Sequence, residues 1–262
     1  MPRSVSQLRD KLAGGDLVLV LALTHARTPD APLLAAAAGY DAVYVDLEHS
    51  STSLETAAML CTVAIGAGIH ALVRVPSHDP ATITRVLDNG AAGVIVPHVA
   101  SKADAEAVVD ACRFPPNGHR SLAGPNAVTG YAPLSQADHI AVLERETVVV
   151  VMIESPAAVE AIDEIAAVAG VDVLLVGPHD LAAEMGILGQ LDDERLLTAI
   201  DAVAAACASH GRTFGIAGIR SNEQLQRLVG LGLRFISAGT DAGLLQEAAR
   251  ERATALRALE VP

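Results

Sequence analysis

Short apolar runs alternate with longer amphipathic segments along most of the chain. Eight runs rich in valine, leucine and isoleucine are typical of strands that are buried on both faces. Between them lie helical patterns such as SLETAAMLCTVAIGAG, SKADAEAVVDACR, SPAAVEAIDEIAAVAG, DDERLLTAIDAVAAACASHG and SNEQLQRLVGLG. The predicted strands are LVLVLA (17–22), AVYVD (42–46), HALVRV (70–75), GVIVP (93–97), TVVVVMIE (147–154), VDVLLVG (171–177), RTFGIA (212–217) and RFISAG (234–239).

A strict alternation of strands and helices requires right-handed crossovers between parallel strands. Eight such units in 262 residues match a (β/α)₈ TIM barrel, so we predict one α/β barrel domain over residues 1–262. Glycines that close helical patterns predict left-handed caps at Gly39, Gly170, Gly211 and Gly232. A doubly wound open sheet has the same periodicity, although its usual G-x-G-x-x-G turn is missing after the first strand.

Composition and charge argue against a membrane protein, a secreted protein and a nucleic-acid-binding protein. Apolar residues make up 51% of the chain, but no run is long enough to span a bilayer. The opening segment MPRSVSQLRDKLAGG lacks the apolar core of a secretory signal, so we expect a cytoplasmic protein. The spacing of Cys61, Cys112 and Cys207 argues against a disulfide or thiolate metal site. A net charge of -13 disfavours binding to nucleic acid.

In a barrel the functional side chains belong at the carboxyl ends of the strands. The polar residues that follow the apolar runs therefore form one predicted ring: Asp46, Glu48, His49, Arg74, His98, Glu154 and Asp180. Glu154 and Asp180 follow consecutive strands, and two carboxylates with water and substrate oxygens suit Mg²⁺, Mn²⁺ or Co²⁺. The alternative is that both acids serve only as helix caps or first-turn acids.

Arg74 and His49 have functional and structural interpretations. Arg74 ends an apolar run and needs an anionic partner, which is either a substrate carboxylate or oxyanion or one of the nearby acids. His49 is either a proton carrier beside a metal or a helix-capping residue. Asp88, in RVLDNG, is a candidate carboxylate partner for His49.

Two glycine-containing turns are candidate anion sites. The segment GPHDLAAEMG begins a short helix after the sixth strand, where free N–H groups can hold a carboxylate or phosphate. A turn without a ligand is the alternative. IAGIR and SAGTDAG lie where many barrels bind phosphate, but they equally suit ordinary turns.

Six segments occur in an order that resembles the metal-dependent class II pyruvate aldolases of the HpcH/HpaI family, which include 4-hydroxy-2-oxoheptanedioate aldolases. They are VYVDLEHSS, LVRVPSHDP, RVLDNGAAGVIVPHV, RFPPNGHRS, VMIES and GPHDLAAEMG, and the resemblance covers about residues 16–245.

This resemblance implies a role for each candidate residue. Glu154 and Asp180 would bind the divalent cation, and His49, assisted by Asp88, would transfer protons. Arg74 would contact the pyruvate portion and stabilise its enolate. Backbone groups around Gly177, Pro178 and His179 would hold the pyruvate carboxylate. Relatives often have a glutamine two residues before the metal-binding glutamate, whereas this chain has Met152. The resemblance therefore implies that this chain lacks one hydrogen bond near pyruvate and differs in substrate preference.

The implied reaction is reversible cleavage of a 4-hydroxy-2-oxo acid into pyruvate and an aldehyde. No lysine stands at a matching strand end, so the sequence gives no support to a Schiff-base mechanism. The alternatives are a lyase for CoA thioesters such as malyl-CoA or citryl-CoA and a non-catalytic barrel that binds a keto acid. The sequence leaves the aldehyde unidentified and assigns its recognition to loops such as 117–132 and 184–192.

The family also forms homo-oligomers, usually hexamers arranged as trimers of dimers. The last helical pattern, GLLQEAARERATALRALEV, is amphipathic and could pack on a neighbouring subunit or on its own barrel.

Overall fold

The protein is a closed barrel of eight parallel strands in a computed structural model that describes residues 7–259. Residues 1–6 and 260–262 of the predicted domain lie outside the described part, including the start of the segment used to predict the compartment. The strands are β1 Val18–Leu23, β2 Ala42–Asp46, β3 His70–Arg74, β4 Gly93–Val96, β5 Val148–Ile153, β6 Val173–Val176, β7 Thr213–Ala217 and β8 Leu233–Thr240.

Helices connect and cover these strands. They are α1 Gln7–Gly14, α2 Asp30–Ala37, α3 Leu54–Ala67, α4 Pro80–Asp88, α5 Lys102–Cys112, α6 Gln136–Glu146, α7 Pro156–Glu160, α8 Ile162–Ala166, α9 Pro178–Glu184, α10 Glu194–His210, α11 Asn222–Gly230 and α12 Asp241–Arg257. No helix within residues 7–259 is long and apolar enough to cross a membrane.

Pairing of the first strand with the last decides between the two predicted architectures. Val18 of β1 is the register partner of Phe235 of β8. Each strand from β1 to β7 also pairs in parallel with the next strand in the chain. The prediction of a TIM barrel is therefore confirmed. The alternative of a doubly wound sheet is wrong, because such a sheet is open and has two unpaired edge strands. All eight predicted strands are present within a few residues of their expected bounds.

The predicted helices are confirmed with one exception. The pattern SPAAVEAIDEIAAVAG was expected to form one helix, but it forms α7 and α8 on either side of Ala161. All four glycines have positive φ, at 89° for Gly39, 100° for Gly170, 63° for Gly211 and 98° for Gly232. The predicted cap at Gly170 is nevertheless wrong, because α8 ends at Ala166 and its C-cap is Ala167. The other three left-handed conformations turn the chain from a helix into the next strand.

The core has two layers, since alternate strand residues point into the barrel and out towards the helices. Val20, Leu72, Val150 and Phe235 belong to the inner cluster. The outer cluster joins the other faces of the strands to the helices. Leu8 of α1 is buried against the inner cluster. This packing leaves the carboxyl ends of the strands open.

Candidate active site

A cavity of about 210 Å³ lies at the carboxyl end of the barrel. Six of the predicted site residues line it: Arg74, Met152, Gly177, Pro178, His179 and Asp180. A larger cavity of about 470 Å³ lies among Arg9, Arg212 and Arg234, near the amino ends of several strands. The smaller cavity is the candidate active site, because Arg74 and Asp180 line it and Glu154 lies directly behind its Gly177.

Glu154 is a buried carboxylate at the end of β5, with 4% of its surface exposed. Its Oε1 accepts the backbone N–H of His98 at 2.6 Å and lies 3.0 Å from Nδ1 of the same residue. Burial raises the pKa of Glu154; His98 opposes this shift, while the charges of Asp180 and Glu48 add to it. Ser155 rather than Glu154 caps α7. The capping interpretation of Glu154 is therefore wrong.

Gly177 makes room for this carboxylate. A Cβ at Gly177 would lie 2.9 Å from Oε2 of Glu154 and 3.1 Å from its Cβ. Asp180 follows in the first turn of α9, where its side chain is exposed and its charge acts on Glu154. The first-turn position proposed as an alternative for Asp180 is thus observed, and it is compatible with a ligand role.

The donor set fits a hard divalent cation. Glu154 presents a buried negative charge beside the exposed carboxylate of Asp180, and oxygen ligands of this kind suit Mg²⁺ or Mn²⁺. No group of three or more His, Cys, Asp or Glu side chains in residues 7–259 forms a ready metal cage. The protein would supply two carboxylates, and water and substrate oxygens would complete the coordination.

Arg74 is fixed at the cavity wall by two carboxylates. Its Nε and Nη2 donate to Oδ1 and Oδ2 of Asp46 at 2.9 and 2.8 Å, and Nη1 lies 3.1 Å from Oε2 of Glu48. Burial opposes the charge of Arg74, but the hydrogen bonds that it donates to Asp46 and the nearby negative charges outweigh burial and raise the pKa of Arg74. The predicted salt bridge is present. It does not exclude substrate contact, because Arg74 still lines the cavity.

Glu48 connects several members of the site. One of its oxygens lies 3.2 Å from Nε2 of His98, and the other lies 3.6 Å from Nε2 of His49 as well as near Arg74. The His49 ring is exposed, and Ser53 caps the following helix α3. His49 is therefore free of the capping role and stands at the site's edge with a carboxylate neighbour.

Asp88 is not beside His49 within one chain. It is the last residue of α4, and since this helix runs back along the barrel, Asp88 lies towards the amino ends of the strands. Its Oδ1 accepts a hydrogen bond from Nη2 of Arg120 at 2.8 Å. Arg120 belongs to the predicted RFPPNGHRS segment and stacks on Phe114. This part of the resemblance thus forms a separate cluster.

Sequence reasoning assigned no functional role to four residues that line the cavity or contact Glu154. His98 was noted at a strand end but not assigned, and its φ of 56° is a left-handed conformation that aims its N–H at Glu154. Tyr44 lies under Arg74, whose guanidinium carbon is 5.7 Å from the ring centroid, and burial raises its pKa. Arg220 and Ser237 also line the cavity. His98 at a strand end and the arginine in IAGIR were visible signals, whereas Tyr44 and Ser237 lie inside predicted strands.

The segment after β7 and the end of β8 lie at the same cavity. Gly218, in the IAGIR segment, has a φ of 72°, and its carbonyl oxygen is 3.2 Å from Nε2 of His179. Gly239 and Thr240, from SAGTDAG, line the cavity beside Gly218. The ordinary-turn interpretation fits Gly218, but it is wrong for SAGTDAG, because β8 continues to Thr240 and α12 begins at Asp241. Both segments contribute residues to the lining of the cavity.

Comparisons with known proteins identify the family of the chain. A family model described as HpcH/HpaI aldolase/citrate lyase matches residues 25–248. A 4-hydroxy-4-methyl-2-oxoglutarate aldolase of Hapsidospora irregularis is 41% identical over 97% of this chain and 96% of its own length. A 4-hydroxy-2-oxovalerate aldolase of Novosphingobium aromaticivorans is 37% identical over 85% and 82%. The crystal structure of an HpcH/HpaI aldolase from Desulfitobacterium hafniense DCB-2 has a TM-score of 0.92 at 31% identity, covering 97% of both chains.

Proposed function

Because the chain belongs to the HpcH/HpaI aldolase/citrate lyase family and is an aldolase, we propose that Glu154 and Asp180 hold the divalent cation on which its reaction depends. The reaction is the reversible cleavage of a 4-hydroxy-2-oxo acid into pyruvate and an aldehyde. One observation carries the site assignment: the buried Glu154 lies against Gly177, and Gly177, the exposed Asp180 and the fixed Arg74 line one cavity. A cation there supplies Lewis acidity that lowers the barrier to forming the pyruvate enolate.

Arg74 stabilises negative charge on the pyruvate half. Asp46 and Glu48 fix the plane of its guanidinium, so the remaining N–H groups are oriented before the substrate binds. The backbone of Gly177, Pro178 and His179 lies at the same cavity and holds the pyruvate carboxylate. Met152 lies beside Gly177 and offers an apolar contact where an amide would donate a hydrogen bond.

His49 transfers the protons. During cleavage the C3–C4 bond breaks, the C4 hydroxyl loses its proton as the aldehyde carbonyl forms, and C3 of pyruvate then gains a proton. His49 is exposed, with Nε2 3.6 Å from a carboxylate oxygen of Glu48, so it can exchange protons with water. Asp88 assists His49 in this proposal only if it is supplied by another copy of the chain, because within one chain Arg120 binds it.

A homo-oligomer is consistent with the surface of α12. The structure buries none of the residues of this helix, and Leu245 is 71% exposed. Leu256 and Leu259 are also exposed at this end of the chain. We propose a hexamer in the cytoplasm, and light scattering tests its mass as a multiple of the 26.9 kDa chain. A monomer at micromolar concentration would overturn it.

Exchange of the pyruvate methyl protons into heavy water tests the enolate chemistry without any aldehyde. Wild-type protein with Mg²⁺, Mn²⁺ or Co²⁺ should exchange these protons, and exhaustive chelation should abolish the exchange. Glu154→Gln keeps the size of the side chain but removes its charge, so it should bind less metal by elemental analysis and exchange more slowly. Exchange that survives chelation would overturn the proposal.

The competing function is a lyase that acts on CoA thioesters. A titration with malyl-CoA or citryl-CoA separates the two, since the aldolase should not bind these esters at micromolar concentration. The substrates named for the two relatives give the panel for cleavage. 4-Hydroxy-4-methyl-2-oxoglutarate and 4-hydroxy-2-oxovalerate differ at C4, where the first has a carboxylate and the second a hydrogen.

A further inference from the structure

Arg220 is a cation without a partner at the active-site cavity. It follows β7 by three residues, is exposed, and lines the cavity together with Arg74 and Asp180. Within residues 7–259 it forms no hydrogen bond or ion pair. Arg74, on the same cavity, is held by two carboxylates. The two arginines therefore differ: Arg74 has two carboxylate partners, whereas no carboxylate within residues 7–259 pairs with Arg220.

The backbone on both sides fixes the position of Arg220. Gly218 has a φ of 72° and turns the chain at the end of β7, and Ile219 is buried with 7% exposure. Ser221 then caps α11 by accepting the N–H of Gln224. Across the gap, a Cβ on Gly243 would lie 3.3 Å from Nη2 of Arg220, so the guanidinium lies against the first turn of α12.

The cavity has two chemically distinct sides. Asp180 and Gly177 belong to the part of the lining where a cation and the pyruvate half bind in the proposed function, and Glu154 lies directly behind Gly177. Arg220, Ser237 and Thr240 form another part of its lining, with a guanidinium and two hydroxyls and no carboxylate. A free guanidinium binds a carboxylate through two parallel hydrogen bonds and keeps its charge at every physiological pH.

Resting on the proposed function, we propose that Arg220 determines specificity by binding a carboxylate on the aldehyde half of the substrate. A 4-hydroxy-2-oxo acid with a second carboxylate at C4 would place its pyruvate half at Glu154 and Asp180 and its second carboxylate at Arg220. Cleavage then releases pyruvate and a 2-oxo acid rather than a simple aldehyde. Arg220 lies outside loops 117–132 and 184–192, which the sequence had indicated for this recognition.

The test compares kcat/KM for two substrates that differ by this one carboxylate. For 4-hydroxy-4-methyl-2-oxoglutarate relative to 4-hydroxy-2-oxovalerate, Arg220→Ala should lower the ratio of kcat/KM by about 10- to 100-fold, the size of a lost charged hydrogen bond. The loss should appear mainly in KM for the dicarboxylic substrate. Arg220→Lys should recover part of the ratio, since it keeps the charge but not the bidentate geometry.

Arg252→Ala is the matched control, because it removes an exposed arginine from α12 and should leave the ratio unchanged. Equal losses on both substrates, or an unchanged ratio in Arg220→Ala, would overturn the role of Arg220. A wild-type protein that neither exchanges pyruvate protons nor cleaves either substrate would instead overturn the proposed function. The two failures are thus distinguished by the behaviour of the wild type.

Discussion

Asp46 and Arg74 are register partners on adjacent parallel strands, and two parallel hydrogen bonds of 2.9 and 2.8 Å join them. Asp46 is fully buried at the end of β2, and Arg74 is partly buried at the end of β3. The pair holds the guanidinium in one plane at the cavity. Because sheet register pairs Asp46 with Arg74, the geometry of this ion pair follows more directly from strand pairing than any other part of the site.

Removing the charge of Asp46 should affect both stability and chemistry. Asp46→Asn places an amide N–H₂ where Arg74 needs an acceptor, so we expect a loss of about 1–3 kcal/mol in the free energy of unfolding. Pyruvate proton exchange should slow by about 10- to 100-fold because Arg74 loses its orientation. Urea denaturation and proton exchange by NMR measure the two effects.

An exposed pair of the same geometry provides the control. Asp193 accepts from Nε and Nη2 of Arg195 at 3.0 and 2.9 Å on the surface. Asp193→Asn also keeps a good helix cap for α10, so its free energy of unfolding should change by less than about 0.5 kcal/mol. Equal losses in the free energy of unfolding for Asp46→Asn and Asp193→Asn would contradict the expectation that burial strengthens the contribution of the ion pair.

The Asp46 pair should make stability depend on pH. Burial alone would raise the pKa of Asp46, but the hydrogen bonds from Arg74 and from the backbone of Glu48 and His49 outweigh it and lower the pKa below its ordinary 3.8. Folding therefore favours the ionised carboxylate. Its contribution is fully present well above pH 3.8 and is lost as the pH falls through the lower folded value.

Urea denaturation at several pH values checks this sign. The stability difference between wild type and Asp46→Asn should be constant from pH 7 to about pH 5 and should shrink below about pH 4. A difference that grows on acidification would show that Asp46 has a raised pKa in the folded protein.

A methyl group at Gly177 should displace the carboxylate assigned to the cation. Because the added Cβ would lie 2.9 Å from Oε2 of Glu154, Gly177→Ala forces that side chain to move. We expect Mn²⁺ binding, measured by calorimetry with pyruvate present, to weaken by about 10- to 100-fold. Gly66→Ala in α3 is the control, because no atom lies within 4 Å of its added Cβ. That variant should retain metal affinity.

Met152 allows a test of the missing amide near pyruvate. Met152→Gln puts a donor on a side chain that is 4% exposed and lines the cavity, so KM for pyruvate in the exchange reaction should fall by up to about 10-fold. Without ligand the unpaired amide should cost about 1–3 kcal/mol of stability. Met152→Leu conserves the apolar character and should cost under about 1.5 kcal/mol. An increase in KM in both variants would mean that packing alone matters.

The sequence by itself determined the eight strands, three of the four predicted glycine caps and the ring of polar residues at the strand ends. Strands covered on both faces leave continuous apolar runs, and a polar residue at the end of such a run marks where the strand reaches solvent. Arg74, Glu154 and Asp180 were visible for that reason. The resemblance also depended on short contiguous segments, which need no tertiary information.

Tertiary structure alone decided barrel closure and the partner of each charge. Pairing of β1 with β8 joins segments that lie more than 200 residues apart, and the pattern of either strand is the same in an open sheet. Likewise Arg74 had several acids within reach of its sequence position, and strand register selected Asp46. The direction of α4 places Asp88 away from His49, and the turn after β7 places Arg220 at the cavity. Neither position can be read from the local sequence pattern.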